Sequence, residues 1–238
     1  RVKEAVQVLQ GHFVSKEAEY QKYCQIDILE NDPAGMIKRL QSYTERLTHI
    51  PFYTQVEDII KVGIARYKEK YLPGIKSEDP FVLYEKYSRR DVSLLMNCGK
   101  DLSSIMYGMK RIENDVFIFI TYHKEESQDE KNYVDGKPDY ADAFEDNLIF
   151  KWDSQIGKGL DSSYMKDVLG ADRKHLFVKK SDAETSFYYM GQFDVLEARN
   201  AQKEDNRGRM QPITKVTMKM HHAVREDLLR YLQSHITA

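Results

Sequence analysis

The chain has 238 residues, of which 41% are hydrophobic and 31% charged, and its formal net charge is −2. That length predicts one large or two modest domains, and the composition is that of a soluble globular protein. No apolar run approaches the roughly 18–20 residues of a membrane span, and the near-zero charge excludes a uniformly basic nucleic-acid binder while leaving room for a local basic face.

The start, Arg1-Val2-Lys3-Glu4-Ala5-Val6, is charged and has no apolar core segment, so no signal peptide is expected. Opening on Arg rather than Met, the chain is expected to be a fragment of something longer. Val2, Val6 and Leu9 are spaced for one helical face. Asp32-Pro33 predicts an N-cap and first-turn proline ahead of Met36, Ile37, Leu40, Tyr43 and Leu47, with Ile50-Pro51 ending that helix. Val56, Ile59, Ile60, Ile64 and Tyr67 form the next apolar stripe, stopped by Pro73-Gly74. Residues 1–77 therefore read as a helical connector of three or four helices. Tyr43 and Tyr67 are expected in its core. The polar stretch at residues 76–80 is a joint, and residues 78–238 form a second domain.

After Pro80 the texture changes. Residues 89–96 suit a short helix capped by Ser88. Val116-Phe117-Ile118-Phe119-Ile120 is β-branched and aromatic without a helical period, and reads as a buried strand. Residues 125–140 are polar and mostly acidic, a solvated loop. Further strands are expected at residues 148–152, 175–178, 187–196 (bending at Gly191) and 212–220. Residues 162–169 read as a short helix and 198–211 as a polar hairpin loop. An amphipathic helix closes the chain through Val224, Leu228, Leu229 and Leu232. Several strands without regular intervening helices predict an α+β fold: a curved, mainly antiparallel β-sheet or small barrel with flanking helices.

Little here looks catalytic. Cys24 and Cys98 are far apart and lack nearby ligand partners, and His123 and His221-His222 lack metal spacing, so no metal site is predicted. Gly157-Lys158-Gly159 lacks the upstream glycine and following Ser/Thr of a phosphate loop. Pro138-Asp139 with Asp172-Arg173-Lys174 imitates a metal-dependent nuclease pattern, but a loop proline and common charged tripeptides carry it only weakly.

The aromatic–basic segments are more informative. Tyr84 to Arg90 alternates rings with cations, Tyr122-His123-Lys124 follows the central strand, and Trp152, the single tryptophan, is followed by Ser154 and Gln155. Lysine and arginine bind phosphates, rings stack on exposed bases, and Ser or Gln reads a base edge. Trp152 and Ser154 would share one face of an extended strand. The competing expectation for any one of these rings is the core of a sheet.

From about Phe81 onward the chain resembles a domain of unknown function found at the C-terminal end of bacterial superfamily II (DEAD/DEAH-type) helicases, often fused to phospholipase-D-like or HNH nucleases. The residues behind this are Leu83-Tyr84-Glu85-Lys86-Tyr87-Ser88-Arg89-Arg90-Asp91-Val92, Ile120-Thr121-Tyr122-His123-Lys124, Phe150-Lys151-Trp152-Asp153-Ser154-Gln155, Leu176-Phe177-Val178-Lys179-Lys180-Ser181-Asp182 and Phe187-Tyr188-Tyr189-Met190-Gly191. The resemblance implies a DNA-binding accessory domain that targets a helicase–nuclease to modified or foreign DNA in phage defence. It implies a cytoplasmic restriction-like ATP-binding hydrolase as the parent, with ATP and magnesium only in that parent and no cofactor in this fragment. Lys86, Arg89, Arg90, Lys124, Lys179 and Lys180 are the expected phosphate contacts. Tyr122, Trp152, Ser154 and Gln155 are the expected base contacts. The alternatives are an assembly module of the helicase, docking through the helical segment and final helix, and a metal-dependent nuclease.

Overall fold

The computed structural model describes residues 28–31, 36–71, 80–123, 133–134, 137–138, 142–205 and 207–234. The expected helix near Val2–Leu9, Cys24, Asp32-Pro33, Pro73-Gly74, residues 76–79, Lys124 and most of the acidic loop lie outside them. The chain divides into two compact units. One holds the described residues up to Val82 together with Arg89–Ser104, and the other holds Leu83–Ser88 together with the described residues from Ile105 onward.

In the first unit, β1 (Leu29–Asn31) pairs antiparallel with β2 (Ile37–Arg39), and α1 (Gln41–Arg46), α2 (Ile50–Tyr71) and α3 (Arg89–Leu95) follow. Two expectations are corrected. Ile37 is in a strand, and the helix begins only after Leu40, whose ψ of 146° is extended. A short strand running into a helix places apolar residues much as one helical stripe does. Pro51 does not merely end a helix: it sits in the first turn of α2, where its missing N–H costs nothing. The α2 stripe is also more exposed than a core stripe, with Tyr67 58% exposed.

The second unit is an open, mainly antiparallel sheet flanked by helices. Its strands are β3 (Lys86–Tyr87), β4 (Met109–Ile112), β5 (Asp115–His123), β8 (Ala143–Phe144), β9 (Ile149–Asp153), β10 (Arg173–Ser181), β11 (Phe187–Glu204) and β12 (Met210–Met220). The order is β4-β5-β10-β11-β12-β9-β8, with β3 pairing β11. Only β5 and β10 run parallel among these pairs. The sheet does not close into a barrel among the described strands. A separate small ladder, β6 (Tyr133–Val134) with β7 (Lys137–Pro138), lies within what was expected to be loop.

β11 organises the sheet. Its first part pairs with β10 and β3, and from Phe193 it pairs with β12. The β10 register slips next to Gly191, whose φ of 99° suits glycine, and an added Cβ there would meet Leu83 Cδ1 at 2.9 Å. The expected loop at 198–211 is strand: β11 and β12 continue as an exposed ribbon, Glu197↔Thr217 to Glu204↔Met210. Backbone pairing sustains the ribbon although no side chain of β11 from residue 197 to 204 is buried, so hydrophobic alternation fades there. Its turn is closed by the Asp205 carboxylate, which accepts from Arg207 N (2.9 Å) and Arg209 N (3.0 Å).

One sheet face carries the main core: Val116, Ile118 and Ile120 of β5 with Phe150, Trp152, Val216 and Met218. Met165 and Val168 come from α4 (Ser163–Leu169), and Leu228 and Leu232 from α5 (Glu226–Gln233). Ser162 caps α4 by accepting from Met165 N at 3.3 Å. His123 Nε2 donates to Leu232 O at 2.7 Å and ties down the end of α5. The opposite residues of the same strands form an aromatic layer. Phe177 lies 5.0 Å from Phe119 and 4.9 Å from Tyr189, and His175 stacks on Phe117 at 4.8 Å. Both faces of β5 are thus buried, which explains its unbroken apolar run. No helix among the described residues is long and apolar enough to cross a membrane.

Candidate nucleic-acid interface

Three elements of the second unit meet in one aromatic–cation cluster: β3, the β10–β11 turn and α5. Lys86 and Tyr188 are register partners across β3 and β11, so the Lys86 ammonium lies 4.5 Å from the Tyr188 ring centre. Tyr188 meets Tyr231 of α5 edge-on at 6.0 Å. Lys180, near the end of β10, lies 4.7 Å over the Tyr231 ring and donates to Ser234 Oγ at 2.6 Å. Lys179 projects from the same strand over Phe187 at 5.4 Å and donates to Glu184 O at 2.9 Å. Arg225, which precedes α5, lies 5.6 Å over Tyr84 and forms a two-pronged pair with Asp227 at 3.0 and 2.6 Å.

Glu184 ties the cluster together. Its Oε1 accepts from Lys86 Nζ at 2.9 Å and from Tyr231 OH at 2.8 Å, and its Oε2 accepts from Lys180 N at 3.0 Å. Burial pushes the Glu184 carboxyl up, but these donors outweigh it and hold the group below its usual range. Burial alone would lower Lys86, yet Glu184 and Tyr188 keep it above its ordinary value. The Tyr231 hydroxyl is pushed up to about 12, by burial first and then by its bond to Glu184, so it is a neutral donor at physiological pH. Tyr84 has a positive φ of 66°, costly for a residue with a side chain. Its hydroxyl donates to Ala223 O at 2.6 Å, which fixes the ring beneath Arg225.

Of the expected contacts, the structure brings together Lys86, Lys179 and Lys180. Arg89 and Arg90 open α3 in the other unit, where Arg90 pairs with Asp101 at 3.5 Å. Tyr122, Trp152 and Ser154 are each 5% exposed. Trp152 and Ser154 do share a face, but that face is inward, so a solvent-facing base pocket on Trp152 is not what these residues build. The Trp152 ring lies 6.3 Å from Tyr164 within the core. Ser154 Oγ donates to Lys158 O at 2.6 Å and accepts from Thr214 N at 2.8 Å, pinning the loop after β9 to β12. The Tyr122 hydroxyl lies 3.4 Å from Phe144 N, from which it accepts. Gln155 is exposed and donates to Tyr107 O at 3.3 Å.

The sequence reasoning missed Glu184, Arg225, Tyr231 and Ser234. Glu184 lies beside a segment already singled out, but a lone carboxylate in a turn gives no signal. Tyr231 was hidden inside an ordinary amphipathic helix. Of the nuclease-like pattern, Asp139 lies outside the described residues, Arg173 grips Asp115 at 2.6 and 2.7 Å, and Lys174 Nζ donates to Ala171 O at 2.6 Å. Among the described residues no cluster of three or more His, Cys, Asp or Glu is placed to hold a metal ion.

The fold and surface together define a helix-flanked antiparallel sheet unit that displays cations on tyrosine rings. Residues 81–232 match the family described as a domain of unknown function (DUF3427), and the chain belongs to that family. No curated protein matches the chain. Three solved structures are similar over part of it, each at 10% identity. MspJI restriction endonuclease in complex with a 27-mer oligonucleotide aligns with 50% of this chain and 37% of its own, at a TM-score of 0.30. The sulfur-binding and SRA domains of ScoMcrA complexed with phosphorothioated DNA align over 65% and 45%, at 0.33. KRYPTONITE in complex with mCHG DNA and SAH aligns over 60% and 33%, at 0.35. The chain thus spans less than half the length of each, and at such scores these likenesses carry no argument about function.

Proposed function

We propose that the sheet unit is a DNA-binding accessory domain with no catalytic step of its own. One observation carries this reading: Lys86, Lys180 and Arg225 stand over the rings of Tyr188, Tyr231 and Tyr84 on one side of the unit. Cations held by rings lose little freedom on meeting phosphate, and partly exposed rings offer stacking surface to bases. In the setting that the family resemblance implies, the unit holds a superfamily II helicase and its nuclease on modified or foreign DNA in the cytoplasm. ATP and magnesium then serve the motor.

The test is fluorescence anisotropy of plain duplex, modified duplex and single-stranded DNA over a salt series. Lys180→Ala should weaken all of them similarly and flatten the slope of log K against log salt by about 0.9 for duplex and about 0.7 for single strands. Absence of binding to every one of these DNAs at low salt overturns the proposal.

A second reading, an assembly surface, is favoured by α2, where Ile59, Ile60 and Ile64 are 71%, 55% and 49% exposed. The final helix does not serve it, because Val224, Leu228 and Leu232 are buried in their own core. A salt-insensitive complex that is lost in Ile60→Asp and kept in Lys180→Ala would support this reading.

A further inference from the structure

A second surface of the sheet unit has quite different chemistry. A cleft of about 680 Å³ opens between residues 157–162 and the β11–β12 ribbon. This lies within the range of small-molecule sites, about 300–1,000 Å³. Gly157 and Gly159 leave part of its wall as bare backbone: nothing stands within 4 Å of a Cβ added at Gly157, and Gly159 lies so close to Pro212 that an added Cβ would meet it at 3.3 Å. Leu160, Ala201 and Pro212 supply apolar lining.

The polar lining is specific. Asn200 and Gln202 are two apart on β11 and share one face. Asn200 Oδ1 accepts from Leu160 N at 2.9 Å, which fixes that amide and leaves its Nδ2 as the donor for a ligand. Among the described residues that line the cleft, Asp161 is the one that carries a charge. An anion entering here would meet a carboxylate and no cation among those lining residues. A neutral planar heterocycle with an exocyclic amine would donate to Asp161 and accept from the amides of Asn200 and Gln202, pairings of the kind that read base edges.

We propose that this cleft binds a nucleobase through an amine-bearing edge, favouring cytosine and adenine over uracil and thymine, which present a carbonyl where the amine would be. The base comes either from a free nucleoside or from an unpaired position in DNA. Only the second source rests on the DNA-binding reading above. Ile156, next to Gly157 and 45% exposed, is an apolar side chain available to fill the gap such a base leaves in a duplex.

The experiment uses the whole chain and two sets of probes. Cytidine, adenosine and uridine are titrated by NMR, and duplexes with one bulged cytosine or one bulged thymine by anisotropy. The expected result is about tenfold discrimination for the amine-bearing base in at least one arm, the cost of leaving one polar group unpaired. That discrimination should vanish in Asp161→Ala and in Ala201→Trp, which fills the cleft, and persist in Lys180→Ala. Asp161 is exposed, so its truncation keeps the test valid if the tryptophan variant misfolds. Equal binding of both bulges together with no nucleoside binding overturns the proposal, as does discrimination that survives both cleft variants. Salt-sensitive duplex binding without discrimination sinks the cleft proposal alone. Cytidine binding in a protein that ignores DNA sinks only the DNA-binding reading.

Discussion

Glu184→Gln should strengthen DNA binding while weakening the fold. The side chain is 19% exposed and holds Lys86, Tyr231 and the Lys180 amide at once. Glutamine keeps an acceptor oxygen but loses the charge, so a stability cost of about 1–2 kcal/mol at neutral pH follows. For binding, a phosphate seated on Lys86 would lie about 6 Å from the lost charge, and at the dielectric of water that repulsion is about 0.7 kcal/mol, or about threefold in affinity. Lys86 also becomes free to release one more counterion, steepening the salt slope by about 0.9, so the variant's advantage should shrink about three- to fourfold between about 50 and 200 mM salt. The same group sets an acid limb. Its folded-state pKa is depressed, so its stabilisation is present above the unfolded value and is lost as pH falls through the folded one. Urea melts from neutral pH to pH 3 should therefore show a shallower acid slope in the glutamine variant. If Glu184→Gln binds DNA no better and keeps the parental salt slope, Lys86 is not a phosphate contact and the cluster is a structural staple.

Trp152→Ala should cost about 3–5 kcal/mol by urea denaturation, as expected for emptying a core site, and DNA affinity of the folded fraction should be unchanged. Lost affinity with parental stability would return Trp152 to the interface. Arg173→Ala leaves the Asp115 carboxylate, whose side chain is 4% exposed, without its two-pronged partner. A loss of about 2–3 kcal/mol is expected in thermal or urea melts, less than for a fully buried pair because Arg173 reaches solvent. Tyr188→Ala and Tyr189→Ala should separate: the first weakens DNA binding with a stability loss of about 1 kcal/mol, and the second, at 2% exposure, loses about 3 kcal/mol. Anisotropy and urea melts on the same preparations check the pair, and similar behaviour of the two would contradict the assignment of faces.

The strands with strong inward faces were legible because burial writes a pattern. Residues 116–120 and 176–178 are covered on both sides and read as unbroken apolar runs. Residues 212–220 bury alternate side chains (Val216, Met218 and Met220) and read as period two. The stretch of ribbon at 198–204, with Met210 and Gln211 opposite its end, was illegible for the converse reason. Its pairing is held by backbone bonds that any residue supplies, while its side chains answer mostly to solvent. The β1–β2 pair was lost to a helical reading because three-residue strands are too short to show any period.

The site was half legible, and the division follows from strand geometry. Alternation fixes which residues share a face, not which face is wet. Trp152 and Ser154 were correctly placed together, and the same pairing that made them look like a pocket made them core. The tyrosines show the rule within two residues. Tyr189 faces inward, where its hydroxyl meets His175 Nδ1 at 3.0 Å, while Tyr188, one step along β11, turns outward under Lys86. The cluster's other half comes from α5: Tyr231, 47 residues beyond Glu184 in sequence, donates its hydroxyl to that carboxylate. Such a contact is created by the packing of α5 through Leu228 and Leu232, so no local pattern around Tyr231 could carry it. A ring-and-cation surface of this kind is thus a by-product of core packing. Its function rests on whether the outward partners, Lys86, Lys180 and Arg225, meet phosphate when the inward ones are left untouched.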